Sequence, residues 1–127
     1  MTDANTGLIL TRVTALLARG PGLPEGDVRQ GMEITLVLEP DGRIGLEAYF
    51  ADPRPWRVRR FRPDRPDWTG DLVREEDSWA LRGGPAEDGP LWFVDVRGMH
   101  PGEYLTLRRP DGEELLYRVV SVAQADG

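Results

Sequence analysis

Six arginines fall within twelve residues, at Arg54, Arg57, Arg59, Arg60, Arg62 and Arg65, interleaved with Trp56, Phe61 and Trp68. Set against Asp52, Asp64 and Asp67, they give residues 52–68 a charge of +3 inside a chain of net charge −6. Guanidinium forks beside aromatic rings suit phosphate, carboxylate or a stacked base, and the same residue types concentrate at protein–protein contacts. Arg57, Arg59, Arg60, Arg62, Arg65 and Trp68 are therefore the expected partner-binding set. The competing reading is a solvated strand face, with Trp56 and Val58 turned inward and Arg57 and Arg59 outward. Residues 69–90 strengthen that reading, because Asp71, Glu75, Glu76, Asp77, Glu87 and Asp88 against Arg74 and Arg82 give that stretch −4. Pairing between the two blocks would neutralise most of the patch, so a structural role outweighs a ligand site.

Other chemistry is sparsely supplied. All 16 cationic residues are arginine, and the chain has no cysteine, which removes Schiff-base lysines, the P-loop lysine, thiolate nucleophiles and disulfides. His100, the single histidine, precedes Pro101 at a turn, where a loop role outweighs a catalytic one. Any metal would need carboxylates for its other ligands, and Glu75-Glu76-Asp77 lacks the ligand spacing and turn glycine of a calcium loop. Gly20-Pro21-Gly22 with Gly26 is no phosphate loop, since its prolines remove backbone donors and no βαβ unit surrounds it. Ser78 and Ser121, the two serines, stand outside any nucleophile elbow. The expectation is no catalytic, cofactor-binding or metal-binding residue, and no cofactor.

The elements that must carry these side chains read mainly as strands. Leu8 to Leu17 is rich in β-branched residues, and Gly20-Pro21-Gly22-Leu23-Pro24 opens a loop that runs to Gly31. Met32–Leu38 and Arg43–Phe50 flank Glu39-Pro40-Asp41-Gly42, while Tyr104–Arg108 and Glu114–Val122 flank Arg109-Pro110-Asp111-Gly112. Both read as hairpins sharing one turn chemistry. Between them Trp56–Phe61, Trp79–Leu81 and Leu91–Val96 are strand-like. Six of the 11 prolines lie between Asp52 and Pro90, which assigns that region to edge strands and loops. Seven to nine short strands without a convincing helix predict an all-β antiparallel sandwich, with a closed barrel as the alternative. One domain over 1–127 is expected, with 1–7 and 123–127 as flexible tails. Of the tryptophans, Trp92 has apolar neighbours and is expected in the core, while Trp68 divides evenly between core and exposed anchor.

Val28-Arg29-Gln30-Gly31-Met32-Glu33-Ile34-Thr35-Leu36 resembles the glycine turn leading into the second strand of bacterial immunoglobulin-like domains. Leu91–Val96 followed by Met99-His100-Pro101-Gly102-Glu103-Tyr104-Leu105-Thr106-Leu107 is similar to their fifth strand, corner and sixth strand. The resemblance implies an immunoglobulin-like or fibronectin-III-like sandwich in which the Tyr104 hydroxyl bonds back to upstream backbone. It implies no activity.

An acidic chain with a pI near 4.8 argues against general nucleic-acid or anionic-membrane binding. The amino-terminal segment Met1-Thr2-Asp3-Ala4-Asn5 lacks the positive charge of a secretory signal, so a cytoplasmic protein is expected. The leading functional expectation is a non-catalytic module that binds another protein, as an adaptor or a subunit of an assembly. The alternative is a small-molecule-binding barrel, or a cofactor-free enzyme, with a tryptophan-lined cavity.

Overall fold

The computed structural model describes residues 9–83 and 91–125. The strands are β1 (Thr11–Arg19), β2 (Asp27–Leu36), β3 (Trp56–Arg62), β4 (Arg65–Glu75), β5 (Ser78–Gly83), β6 (Trp92–Val96), β7 (Tyr104–Arg108) and β8 (Glu114–Gln124). Each pairs antiparallel with the next, and β8 returns to pair with β1, so the sheet closes into an eight-stranded up-and-down barrel. The expected immunoglobulin-like sandwich is thereby overturned: a sandwich keeps two sheets with free edges, whereas every strand here has two neighbours. The all-β class stands. The curvature needed for closure is visible as register shifts in β1, between Leu16 and Leu17 against β2 and between Thr14 and Ala15 against β8.

Alternation along each strand fills the interior. Val13, Ala15 and Leu17 of β1, Met32, Ile34 and Leu36 of β2, and Leu115, Tyr117 and Val119 of β8 are all buried. They meet Trp56, Val58, Leu72, Leu81, Val94, Leu105 and Leu107 in one continuous core. The expected tyrosine corner is absent, because Tyr104 opens β7 on the outward face and is 52% exposed.

The two Pro-Asp-Gly turns are built alike. In each, the residue before proline bonds to the residue after glycine, Glu39 N to Arg43 O and Arg109 N to Glu113 O, both at 2.8 Å. Asp41 and Asp111 accept from the backbone two residues on, and Gly42 and Gly112 take φ of 89° and 93°, which side-chain-bearing residues avoid. The turn at Gly112 joins β7 to β8 as expected. The turn at Gly42 does not join two long strands: only a bridge between Leu38 and Ile44 follows it, and the expected strand Arg43–Phe50 gives way to a short helix α1 (Leu46–Ala51). That stretch holds Leu, Glu and two Ala without a β-branched residue, and Asp52-Pro53 ends it.

The loop before α1 and the β6–β7 loop close one end of the barrel. Met99 N bonds to Gly42 O, and Val37, Ile44 and Met99 are buried there. Tyr49 of α1 stands edge-on to Trp56 and Trp79, each at a ring-centre distance of 5.2 Å. The expected loop from Gly20 to Gly31 is shorter, since β2 begins at Asp27. β4, eleven residues long and paired on both sides, occupies a region assigned to edges and loops. Its proline, Pro66, sits near the strand's start at the barrel rim, where a missing donor is tolerated. Ala123 and Gln124 continue β8, while residues 1–7 and 126–127 of the expected tails lie outside the described residues.

Candidate functional site

β3 supplies the decisive side chains. Its alternation buries Trp56 and Val58 and exposes Arg57, and the same alternation carries Arg60 inward to only 6% exposure. Outside, Arg57 pairs with Asp71 at 3.4 Å, and Arg59 pairs with Glu33 at 3.1 Å and Asp67 at 2.8 Å. These two contacts hold the Arg59 guanidinium above its ordinary pKa. The outer arginines are thus occupied by carboxylates of β2 and β4. Arg54 is likewise taken, by Asp52 at 2.9 Å.

The inward set ends differently. The Arg60 guanidinium lies over the Trp92 ring at 4.6 Å and donates a long 3.4 Å bond to the Tyr117 hydroxyl. No carboxylate among the described residues comes within ion-pair distance of Arg60, Arg62 or Arg65, and the buried Nε atoms of Arg60 and Arg62 find no hydrogen-bond partner there. Arg62 and Arg65 stand opposite each other across the end of the β3–β4 hairpin, a like-charge cross-strand pair that works against the fold. Burial, together with the charges of Arg60 and Arg65, pulls the Arg62 pKa below its ordinary value. Arg109, from the β7–β8 turn, lies over the same Trp92 ring at 5.2 Å while bonding Glu113.

These groups line a cavity of about 400 Å³ at the barrel end opposite α1. Its cationic lining is Arg60, Arg62, Arg65 and Arg109, with Trp92 beside them. Its apolar part is Leu17, Gly20, Pro21, Leu23, Pro63 and Leu115, and Gln30 and Asp64 complete the lining. No family, curated protein or solved structure compared with this chain matches it. What the mouth can do must therefore be argued from its own chemistry.

A buried guanidinium without a counter-ion is costly, and the contacts with Trp92 and Tyr117 offset only part of that cost. An anion in the mouth would remove it. A larger hollow of about 570 Å³ on the barrel side lacks this imbalance: Arg74 and Arg108 there lie over Trp79 and Phe93, and Asp77, Asp95 and Glu114 balance them. His100 belongs to the closed end, where its ring bonds Glu103 and abuts Gly42. Among the described residues no three of His, Asp and Glu converge on a metal-sized site. No helix among them is long and apolar enough to cross a membrane.

Of the residues singled out in the sequence, the structure brings Arg60, Arg62 and Arg65 together and sends Arg57 and Arg59 to the outer face. Trp68 is half-buried, opposite Arg60 in the β3–β4 ladder, packed on the core and engaged in a further contact. Trp92, expected in the core, is half-buried and forms a wall of the mouth. Sequence reasoning missed Arg109, Tyr117 and Leu17 as site residues. Only barrel closure juxtaposes them with β3, and no local spacing carries that information.

Proposed function

We propose that this protein is a non-catalytic binding barrel whose mouth receives a small anionic ligand. The observation that carries the reading is Arg60, buried inside the barrel beside a solvent-connected cavity and without a carboxylate partner among the described residues. A cavity of this volume falls within the range of small-molecule sites, which commonly combine apolar walls with a few converging polar groups. The mouth offers several guanidinium donors but no paired nucleophile and base, which supports binding over catalysis.

Melting temperature in the presence of phosphate, sulfate, acetate and benzoate, at constant ionic strength, tests this directly. Ligands that bind only the folded state raise it by mass action. At least one of these anions is expected to stabilise the wild type by several degrees more than Arg60→Met. Equal responses of the two proteins to every anion would overturn the proposal.

Recognition of another protein through the exposed outer arginines is a weaker reading. Arg57 and Arg59 already spend their donors on Asp71, Glu33 and Asp67. The rim arginine Arg65, exposed at the hairpin tip, is the residue of the expected partner-binding set that still favours it.

A further inference from the structure

Resting on the anion-binding reading, we infer that the ligand is an organic phosphate monoester, with its dianionic head held by Arg60, Arg62 and Arg65 and an apolar stem lying against Leu17, Leu23 and Leu115. Charge supports the dianion. The mouth has four arginines, one of them paired with Glu113, and Asp64 is the acidic residue in the lining, so two positive charges remain in excess. A monocarboxylate would leave one of them uncompensated, whereas a phosphoryl group brings nearly two negative charges and three acceptor oxygens at neutral pH.

Donor geometry agrees. The Nε atoms of Arg60 and Arg62, without a hydrogen-bond partner among the described residues, belong to planar forks that suit tetrahedral oxyanions bidentately. Repulsion between Arg62 and Arg65 across the hairpin end would turn into shared attraction once an anion lies between them. The depressed Arg62 pKa reports the same burial and crowding of positive charge.

Shape supports the stem. One phosphate group fills a small part of about 400 Å³, and the lining contributed by β1, the β1–β2 loop and the start of β8 is apolar: Leu17, Pro21, Leu23 and Leu115. Leu17 and Leu115 are 3% and 8% exposed, and they hold that lining firmly in the core.

The discriminating experiment is calorimetric titration of the full chain with hexyl phosphate, inorganic phosphate, hexyl sulfate, sodium sulfate and hexanoate at pH 7.5 and pH 5.0. With a second phosphate ionisation near pH 6, only about a tenth of the ester is dianionic at pH 5.0, so its affinity is expected to fall about tenfold. Sulfate stays dianionic throughout, and an unchanged sulfate affinity shows that protein groups at the mouth, Asp64 and Glu113 included, do not cause the fall. Hexyl sulfate is monoanionic at both pH values and, like hexanoate, is expected to bind at least tenfold more weakly than hexyl phosphate at pH 7.5. Hexyl phosphate is expected to exceed inorganic phosphate by at least fivefold, and Arg65→Gln, an exposed substitution that spares the core, to narrow the preference for dianions. Hexanoate binding as tightly as hexyl phosphate, or no loss of the ester at pH 5.0, overturns the dianion. Equal affinity for hexyl and inorganic phosphate overturns the stem. If none of the five ligands binds, the anion-binding reading itself falls.

Discussion

Replacing Asp52 by alanine is expected to destabilise the barrel by about 2–3 kcal/mol at neutral pH, and the reason lies in one carboxylate serving three groups. Asp52 follows α1, where its backbone N–H bonds to Ala48 O. Its Oδ1 accepts from the Arg54 backbone N–H at 3.0 Å and from Arg54 Nε at 2.9 Å, and its Oδ2 accepts from Arg54 Nη2 at 3.0 Å and from the Trp56 indole Nε1–H at 3.1 Å. Trp56 is 1% exposed, so alanine strands a buried donor at a cost of about 1–3 kcal/mol. The ion pair with half-exposed Arg54 adds only about 0–1 kcal/mol.

The same contacts, above all the Arg54 side-chain bond, lower the Asp52 pKa from 3.8 to about 2 despite its burial. Because the folded carboxylate is the stronger acid, the unfolded chain binds more protons between these values. The contribution is complete above about pH 5 and fades as pH falls through 2, by about 1–2 kcal/mol once solvent screening at Arg54 is allowed for. Urea denaturation of wild type and Asp52→Ala at steps from pH 6 to pH 2 measures both quantities. The gap between the two proteins should shrink toward pH 2, leaving mainly the indole penalty. Stability curves that stay parallel across that range would refute the assignment of the pKa shift to folding.

Other substitutions have defined outcomes. Tyr104→Phe should leave the urea midpoint within about 0.5 kcal/mol of wild type, because its hydroxyl is on the exposed outer face; a larger loss would revive a corner hydrogen bond. Gly31→Ala should cost about 1–3 kcal/mol by thermal melting, since its Cβ would fall 2.5 Å from Ala15 O and 2.6 Å from the Phe61 ring. Arg60→Met, in a buffer free of phosphate and sulfate, should be as stable as wild type or about 1 kcal/mol more stable, because a buried cation without a carboxylate partner among the described residues is exchanged for an apolar side chain. A clear loss of stability there would make Arg60 a structural residue.

Much of the barrel was legible because alternation and turn chemistry are local. The strand expected at Glu114–Val122 with its Pro-Asp-Gly turn, and the Trp56, Val58 inward and Arg57 outward pattern, follow from a two-residue period and from torsions that glycine accepts, although β8 runs two residues further, to Gln124. Closure was not legible. An up-and-down barrel and a sandwich share the same strand lengths and alternation, and they differ in whether β1 meets β8, a contact between residues about one hundred positions apart. Leu46–Ala51 was misread because Ile44 and the aromatics Tyr49 and Phe50 suggest a strand. Tyr49 instead packs across the barrel end on Trp56 and Trp79, a tertiary contact that overrides local preference.

The site was half visible, and the hidden half follows from the same alternation. Extending the period from Trp56 and Val58 by two residues puts Arg60 in the interior, although arginine is among the residues least often buried without a partner. Pattern and polarity conflict there, and again at Arg62, whose Nε is also buried. Where an otherwise consistent sequence breaks one local rule, a functional site is the place to look. Charge pairing worked as a filter on the remaining arginines: Arg57 and Arg59 found carboxylates in β4 and β2, so the patch of +3 on paper becomes two populations, one neutralised outside and one within that meets no carboxylate among the described residues. Trp92, from a distant strand, receives both Arg60 and the Glu113-paired Arg109 over its ring, and that shared ring gathers the cations of the mouth on which the anion-binding proposal rests.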